Sequence, residues 1–257
     1  METLDLADVA AQGWLDNVAD IAGALPGGLC VRAEPGLALL ATGAPLASVN
    51  GVIDVRSSPR PGLVAELAER AADEIDVPWC IQVRAEPDAE IADAAAAQGM
   101  TTVARIPLML RELAAGGRLG GPSPEGWAMR RSGPEDSAIF ATALAAGFEA
   151  PVEVMSLLGA AEILGLPCAT GYLAEVDGEV VATGLALRAE GCVGIYNISV
   201  PPGRRRQGYG AAITSAILEA ERERGARLAY LLSSEQGLSV YESLGFRTVE
   251  RWTRYTR

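Results

Sequence analysis

NISVPPGRRRQGYGAAITSAI, residues 197–217, is the stretch that decides the fold of this chain. A strand-like run is followed by a Pro-Pro-Gly turn, three arginines, two spaced glycines and a helical pattern. A helix that starts near Gly208 leaves its first backbone N–H groups unpaired and carries partial positive charge at that end. Gly208 and Gly210 have no Cβ to keep a ligand away from the backbone, and arginine adds forked donors. The stretch therefore predicts an anion site that a pyrophosphate would fit.

Two common phosphate-binding patterns do not match this stretch. The Rossmann fingerprint needs three spaced glycines and a downstream acid, and the P-loop ends in Gly-Lys-Ser/Thr. Taken alone, the stretch is also compatible with an arginine-rich surface turn before a helix. An unrelated phosphate- or nucleotide-binding fold is a further alternative.

The composition is typical of a globular protein, and 257 residues suffice for one large or two small domains. The net charge of −12 disfavours nucleic-acid and anionic-membrane partners, which need a basic face. No apolar run is long enough to cross a bilayer, and the acidic amino terminus does not resemble a signal peptide, so we expect a cytoplasmic protein. Four widely spaced cysteines, Cys30, Cys80, Cys168 and Cys192, predict buried thiols and no metal site.

The chain contains no histidine and no lysine, so all 21 positively charged residues are arginines. This excludes Ser-His-Asp and Cys-His catalysis, histidine-ligated metals, Schiff-base lysines and the P-loop lysine. Any general base must be a carboxylate, a tyrosine, a thiol or water.

Residues 113–126, LAAGGRLGGPSPEG, form the one evident boundary, being rich in glycine and proline without a periodic pattern. We predict domains over residues 1–115 and 127–257, joined by a linker at 116–126. Strands and helices alternate in the second half, and Asp177-Gly178 predicts a tight hairpin. A single helix is predicted over PVEVMSLLGAAEILG, residues 151–165. The alternation implies an α/β arrangement with a parallel strand pair near the middle.

The two halves resemble each other weakly. AAAAQGMTTVAR in the first half aligns with SVYESLGFRTVER in the second, which matches Gly99 to Gly245 and Arg105 to Arg251. We interpret this as a degenerate internal duplication. The alternative is that two α/β segments look alike because they share the same periodicity.

Residues 127–257 resemble the GNAT superfamily of acyl-CoA-dependent N-acetyltransferases. The resemblance rests on a strand ending in SV, a turn with Pro202, the pattern Arg205-x-x-Gly208-x-Gly210, and Tyr241-x-x-x-Gly245-Phe246 in the right order. The first half lacks the signature, having RSSPRPG at that place and Ala95 where Tyr241 would stand. The resemblance implies two GNAT-like lobes, each a mixed, mostly antiparallel three-layer α+β sheet with a central parallel pair flanked by helices. The first lobe is expected to be a structural partner.

The resemblance also implies the roles of individual residues. Tyr241 would protonate the leaving thiolate, and a backbone N–H near Ile198 would polarise the thioester carbonyl. Arg205 would shape the loop, and Ser234 stands where many relatives carry an asparagine that holds the cofactor arm, a role that a serine fills less well. The expected contacts of acetyl-CoA are Ile198, Ser199, Val200, Arg205, Arg206, Gln207, Gly208, Tyr209, Gly210, Ala211, Ser234 and Tyr241, with no metal.

The sequence leaves the acceptor and its base open. Candidates for contact with the amine are Glu149 and Glu153, between two predicted helices, and Tyr196 and Asn197 on the central strand. We expect direct transfer of an acetyl or short acyl group to a small-molecule or peptide amine. The alternative is a CoA-binding regulatory or interaction protein without turnover. The oligomeric state is open, a homodimer being one alternative.

Overall fold

The computed structural model describes residues 5–84, 86, 88–114, 119–120 and 123–257. Two compact units are present. The first comprises residues 1–108, 232–234 and 248–257, and the second comprises 109–231 and 235–247. The predicted linker at 116–126 lies partly outside the described residues, so the predicted domain division stays a prediction.

The first unit is a sheet with helices, and its elements in chain order are α1 (Leu6–Ala24), β1 (Leu29–Glu34), β2 (Leu37–Ala41), β3 (Asn50–Asp54), α2 (Pro61–Glu74), β4 (Cys80–Val83), α3 (Ala89–Ala97) and β5 (Thr102–Glu112), which belongs to this unit up to Leu108. Asp5 caps α1 by accepting a hydrogen bond from the Ala7 amide at 3.0 Å. β2, β3 and β4 are buried along their whole length, as expected of strands covered on both faces.

The second unit contains the predicted signature, and its elements in chain order are β6 (Trp127–Ser132), α4 (Ser137–Phe148), α5 (Val152–Met155), α6 (Ala161–Leu164), β7 (Ala169–Val176), β8 (Glu179–Ala189), β9 (Cys192–Ser199), α7 (Tyr209–Glu223), β10 (Leu228–Leu232), α8 (Leu238–Ser243) and the start of β11 (Arg247–Thr256). The strand order is β10-β9-β8-β7-β6. β6 to β9 are antiparallel, and β9 pairs with β10 in parallel. The predicted fold class, a mixed α/β sheet flanked by helices with a central parallel pair, is confirmed.

Each unit includes a strand from the other half of the sequence. In the first unit β11 pairs antiparallel with β4, with Thr253 opposite Val83, and Trp14 of α1 packs edge-on against Trp252 at 5.4 Å. In the second unit the Leu113 amide, just after β5, donates to the Arg227 carbonyl at 2.8 Å. The final strands of the two halves are therefore exchanged.

Some expectations from the sequence were wrong. Residues 151–165 form two short helices, α5 and α6, because Gly159 lies against α4, where an added Cβ would meet Ala141 at 3.0 Å. Cys80 and Cys192 are buried as predicted, but Cys30 is exposed and Cys168 is half-buried. The hairpin turn at Asp177-Gly178 is present, with positive φ at both residues. In the described part of the chain no helix combines the length and the apolar character that a membrane span requires.

Candidate functional site

The start of α7 is a bare helix terminus. Gly208 precedes the helix with a φ of +87°, and Arg206 has a φ of +60°, so the chain turns sharply into the helix. Among the described residues no side chain caps this end, and the amides of Tyr209, Gly210 and Ala211 find no acceptor. Three N–H groups at the positive end of a 15-residue helix make this terminus a suitable anion-binding surface.

The space above this helix start is open. A Cβ added to Gly210 would lie 3.6 Å from Val200 Cγ2, and one added to Gly208 would lie 3.7 Å from Pro124 Cγ, both ordinary contacts. The positive φ explains Gly208. Packing does not require a glycine at position 210, since the added Cβ would make only an ordinary contact.

The three arginines before the helix differ in their contacts. Arg204 forms an ion pair with Glu179 at 2.9 Å. Arg205 donates to the carbonyls of Val200 at 3.1 Å and Gly147 at 2.8 Å, and its guanidinium lies 2.6 Å from the Glu149 carboxylate. These contacts hold the loop in shape. The exposed guanidinium of Arg206 has no partner among the described residues, so it is the one of the three that is free to meet an anion.

The central parallel strands separate next to this loop. β9 and β10 pair at Val193–Ala229 and Gly194–Tyr230, and beyond these positions no pairing between them is present in the described chain. β9 nevertheless continues to Ser199. Its backbone beyond Gly194 is therefore available on that side to an extended, amide-containing ligand.

A β-bulge lies in the separated part of β9. The register with β8 shifts between Thr183–Ser199 and Leu185–Tyr196, and Asn197 takes a φ of +53°. The Thr183 hydroxyl donates to the Asn197 carbonyl at 2.8 Å and lies 2.8 Å from the Ser199 hydroxyl, which fixes the bulge. Bulges reorient backbone groups, here at the strand end where the sequence places Ile198.

Tyr241 lies on α8, and α8 contacts α7. The half-buried ring packs edge-on against Phe246 at 5.9 Å and on the core of this unit. Burial raises the pKa of Tyr241 to about 12, so its hydroxyl stays protonated at neutral pH. Arg111 of β5 donates to the Leu244 carbonyl, directly after α8, and so anchors this helix.

The other predicted contact residues are spread over several elements. Glu149 is paired with Arg205, Glu153 is exposed in the first turn of α5, and the Asn197 amide donates to the Leu158 carbonyl at 3.4 Å. Ser234 is exposed and belongs to the first unit, and its carbonyl accepts a hydrogen bond from the Ser233 hydroxyl.

Sequence reasoning missed two residues that shape the site. Gly147 allows α4 to approach the end of β9, since an added Cβ would lie 2.4 Å from Ser199. Tyr230 is fully buried at the point where β9 and β10 separate. A glycine near a helix end is the only signal of the first, and the aromatic residue in the strand RLAYLLSS is the only signal of the second.

The corresponding strands of the first unit do not separate. β3 and β4 pair in parallel at every position from Gly51–Cys80 to Asp54–Val83, and the Arg84 amide continues the ladder to the Asp54 carbonyl at 2.9 Å. There is consequently no gap between these strands in which an extended ligand could pair.

The helix after β3 also lacks the anion-binding features. α2 begins with Pro61, which has no N–H group to offer. The guanidinium of Arg56, in the preceding loop, is bound to Asp54 and to Glu34. The site features described for the second unit are thus not repeated in the described part of the first.

Known proteins share both a domain and the fold with this chain. Residues 167–248 match the family described as acetyltransferase (GNAT) domain. A GCN5-related N-acetyltransferase from Kribbella flavida is similar over 99% of this chain and 96% of its own, at 22% identity and a TM-score of 0.71. A tandem GNAT protein from the clavulanic acid biosynthesis pathway covers 97% of this chain and 95% of its own, at 18% identity and a TM-score of 0.59.

A third structure is described as a putative GNAT-family acetyltransferase from Novosphingobium aromaticivorans. It covers 93% of this chain and 96% of its own, at 18% identity and a TM-score of 0.55. No curated protein matches the sequence significantly. At these identities the structures establish the fold, and the domain match is to the half of the chain that carries the bare helix start and the separated strands. That half therefore contains a region similar to the GNAT acetyltransferase domain.

Proposed function

We propose that this protein is an N-acyltransferase that moves an acetyl or short acyl group from acyl-CoA directly to an amine. One observation carries the proposal: the uncapped start of α7 lies beside the point where β9 and β10 separate. A diphosphate and an extended, amide-containing arm are the two parts of CoA that these two features suit.

The residues of the second unit fit such a donor. The amides of Tyr209, Gly210 and Ala211 would hold the diphosphate, with the Arg206 guanidinium as a further donor. Gln207 extends this exposed loop. The end of β9, at Ile198, Ser199 and Val200, would pair with the arm. When bound, acyl-CoA supplies the acyl group as an activated thioester.

The chain's own groups would assist transfer in two ways. The backbone N–H near Ile198 would donate a hydrogen bond to the carbonyl oxygen that gains charge. Tyr241 would donate the proton of its hydroxyl to the leaving sulfur, and burial keeps this group protonated. The proton that the acylated amine nitrogen loses would pass to water, and Tyr241 would regain a proton from water. No metal is invoked.

A thiol-release assay tests this proposal. The full chain is mixed with acetyl-CoA and one of five amines (phenethylamine, spermidine, kanamycin, lysine methyl ester, or the tripeptide Ala-Ala-Ala), and free thiol is measured over time. Amine-dependent release supports the proposal. Calorimetric binding of CoA without release from any amine would favour the alternative, a CoA-binding protein without turnover. Competition for the site by ATP as strong as by CoA would contradict both functions.

A further inference from the structure

Two tyrosine hydroxyls meet where the central strands separate. Tyr196 Oη of β9 and Tyr230 Oη of β10 are 2.9 Å apart, and the rings are edge-on with centroids 6.3 Å apart. Tyr230 is fully buried, whereas Tyr196 is half-buried. Either hydroxyl can be the donor in this contact, and in both cases it holds the Tyr196 oxygen in place, since a phenol oxygen can donate one hydrogen bond and accept two.

A glycine makes room for this pair. A Cβ added to Gly194 would lie 2.4 Å from the Tyr196 ring and 2.6 Å from Tyr230 Oη. Glycine in the middle of a strand weakens the strand, so a close approach of this kind is a reason to have it there. Three residues on two strands thus combine to hold one hydroxyl in place.

The pair lies on the face of the sheet opposite α7. Val193, Ile195, Ala229 and Leu231 pack in the core formed with α7, and side chains alternate along a strand. Tyr196 and Tyr230 therefore lie on the face that α4 covers, since α4 packs against β8 and β9. The uncapped start of α7 and the tyrosine pair lie on different sides of the separated strand end.

The carboxylates near this end are less suitable for orienting an amine. Glu149 is engaged with Arg205, which also holds the loop. Glu153 is exposed in a four-residue helix, and no contact with another described residue fixes the direction of its side chain. The Tyr196 hydroxyl, in contrast, is held by the buried Tyr230. Tyr196 stands two residues before Ile198 in the same strand.

We propose that Tyr196 orients the acceptor amine by accepting a hydrogen bond from its N–H group, and that Tyr230 is a positioning residue that acts through Tyr196. The inference rests on the proposed function and adds the acceptor side to it. The nitrogen lone pair then points away from Tyr196, toward the acyl carbon. No proton transfer to either tyrosine is involved.

Four variants test this role: Tyr196→Phe, Tyr230→Phe, the double variant and Tyr255→Phe. Tyr255 is the matched control, a buried tyrosine of the first unit whose hydroxyl has no hydrogen-bond partner among the described residues. kcat/KM is measured for each of the five amines in the thiol-release assay. The Kd of CoA and the Tm are measured in parallel. Calorimetry with amine in the presence of free CoA reports amine binding without turnover.

The expected pattern is specific for positioning. Tyr196→Phe lowers kcat/KM for the amine about tenfold and weakens amine binding, as expected for the loss of one hydrogen bond. Tyr230→Phe lowers it about threefold. The double variant is no worse than Tyr196→Phe alone, because Tyr230 acts through the hydroxyl already removed. CoA binding is unchanged in all variants, and Tyr255→Phe behaves as wild type.

Three outcomes would overturn the inference. If Tyr196→Phe has the same kcat/KM as the wild type, the tyrosine pair has no role in acceptor binding. The acyltransferase proposal would then remain intact. Additive losses in the double variant, with a lower Tm and unchanged amine binding, would show that the pair is only structural. Absence of release in the wild type with all five amines would refute the proposed function, and this inference with it.

Discussion

Replacing Gly210 with alanine should weaken CoA binding while leaving the fold at least as stable. Gly210 is the second residue of α7, and the added methyl group would meet Val200 Cγ2 at 3.6 Å, an ordinary contact. Replacing a glycine in a helix with alanine raises the free energy of unfolding by about 0.5 kcal/mol or somewhat more. The same methyl group would stand between the backbone and a diphosphate. Losing one or two charge-assisted hydrogen bonds would cost about 2–4 kcal/mol, roughly a 30-fold to 1,000-fold rise in the Kd of CoA.

The first unit provides a matched control for this prediction. Gly62 is the second residue of α2, and an added Cβ there would meet nothing within 4 Å. Gly62→Ala should give the same small gain in the free energy of unfolding and no change in CoA binding. Urea unfolding measures the stability of both variants, and calorimetry measures the Kd. If Gly210→Ala binds CoA as tightly as Gly62→Ala, the start of α7 does not bind the diphosphate of CoA.

Three further outcomes are expected. Tyr241→Phe should lower kcat at least tenfold with an unchanged Kd of CoA; equal kcat would remove Tyr241 from the role of acid. Burial raises the pKa of Cys80 to about 11 and those of Tyr172 and Tyr241 to about 12. These groups lose their protons at lower pH in the unfolded chain than in the folded one. The free energy of unfolding should therefore be constant with respect to these groups below about pH 9 and should fall between about pH 9 and pH 12. Urea unfolding across that range checks this, and constant stability would contradict it. Glu221 is fully buried and accepts hydrogen bonds from the Tyr172 hydroxyl at 2.8 Å and from two arginines at 2.7 Å. Glu221→Ala should therefore lower the free energy of unfolding by about 3 kcal/mol, whereas the more exposed Glu219→Ala should lower it by less than about 0.5 kcal/mol; equal losses would refute the argument.

The second unit could be predicted from the sequence because its local signals agree. The Asp177-Gly178 turn fixes the β7–β8 hairpin, and the run from residue 197 to residue 217 gives both the strand end and the helix start. Local sequence signals do not report contacts between separate helices and strands. The predicted helix over residues 151–165 is broken where Gly159 packs against Ala141, and no local pattern reports that contact.

The residues of the candidate site also fall into two groups, those in short sequence motifs and those whose role depends on contacts between elements. The glycines, Arg205 and Tyr241 could be proposed as site residues because each belongs to a short motif of the family that the second half resembles. Tyr230 and Gly194 belong to no motif, since their role depends on which residues face each other across two strands. The amino-terminal α1 is not among the predicted elements, although Asp5 caps it.

The exchanged strands make the second unit dependent on residues before its own motif. Arg111, in the part of β5 that belongs to this unit, binds the carbonyl at the end of the helix that carries Tyr241. A chain that started at Gly116 would keep every residue of the acetyltransferase signature, yet it would lack both this anchor and the neighbouring strand. The helix that carries Tyr241, the acid of the proposed reaction, would thus lose a support that comes from residues before position 116.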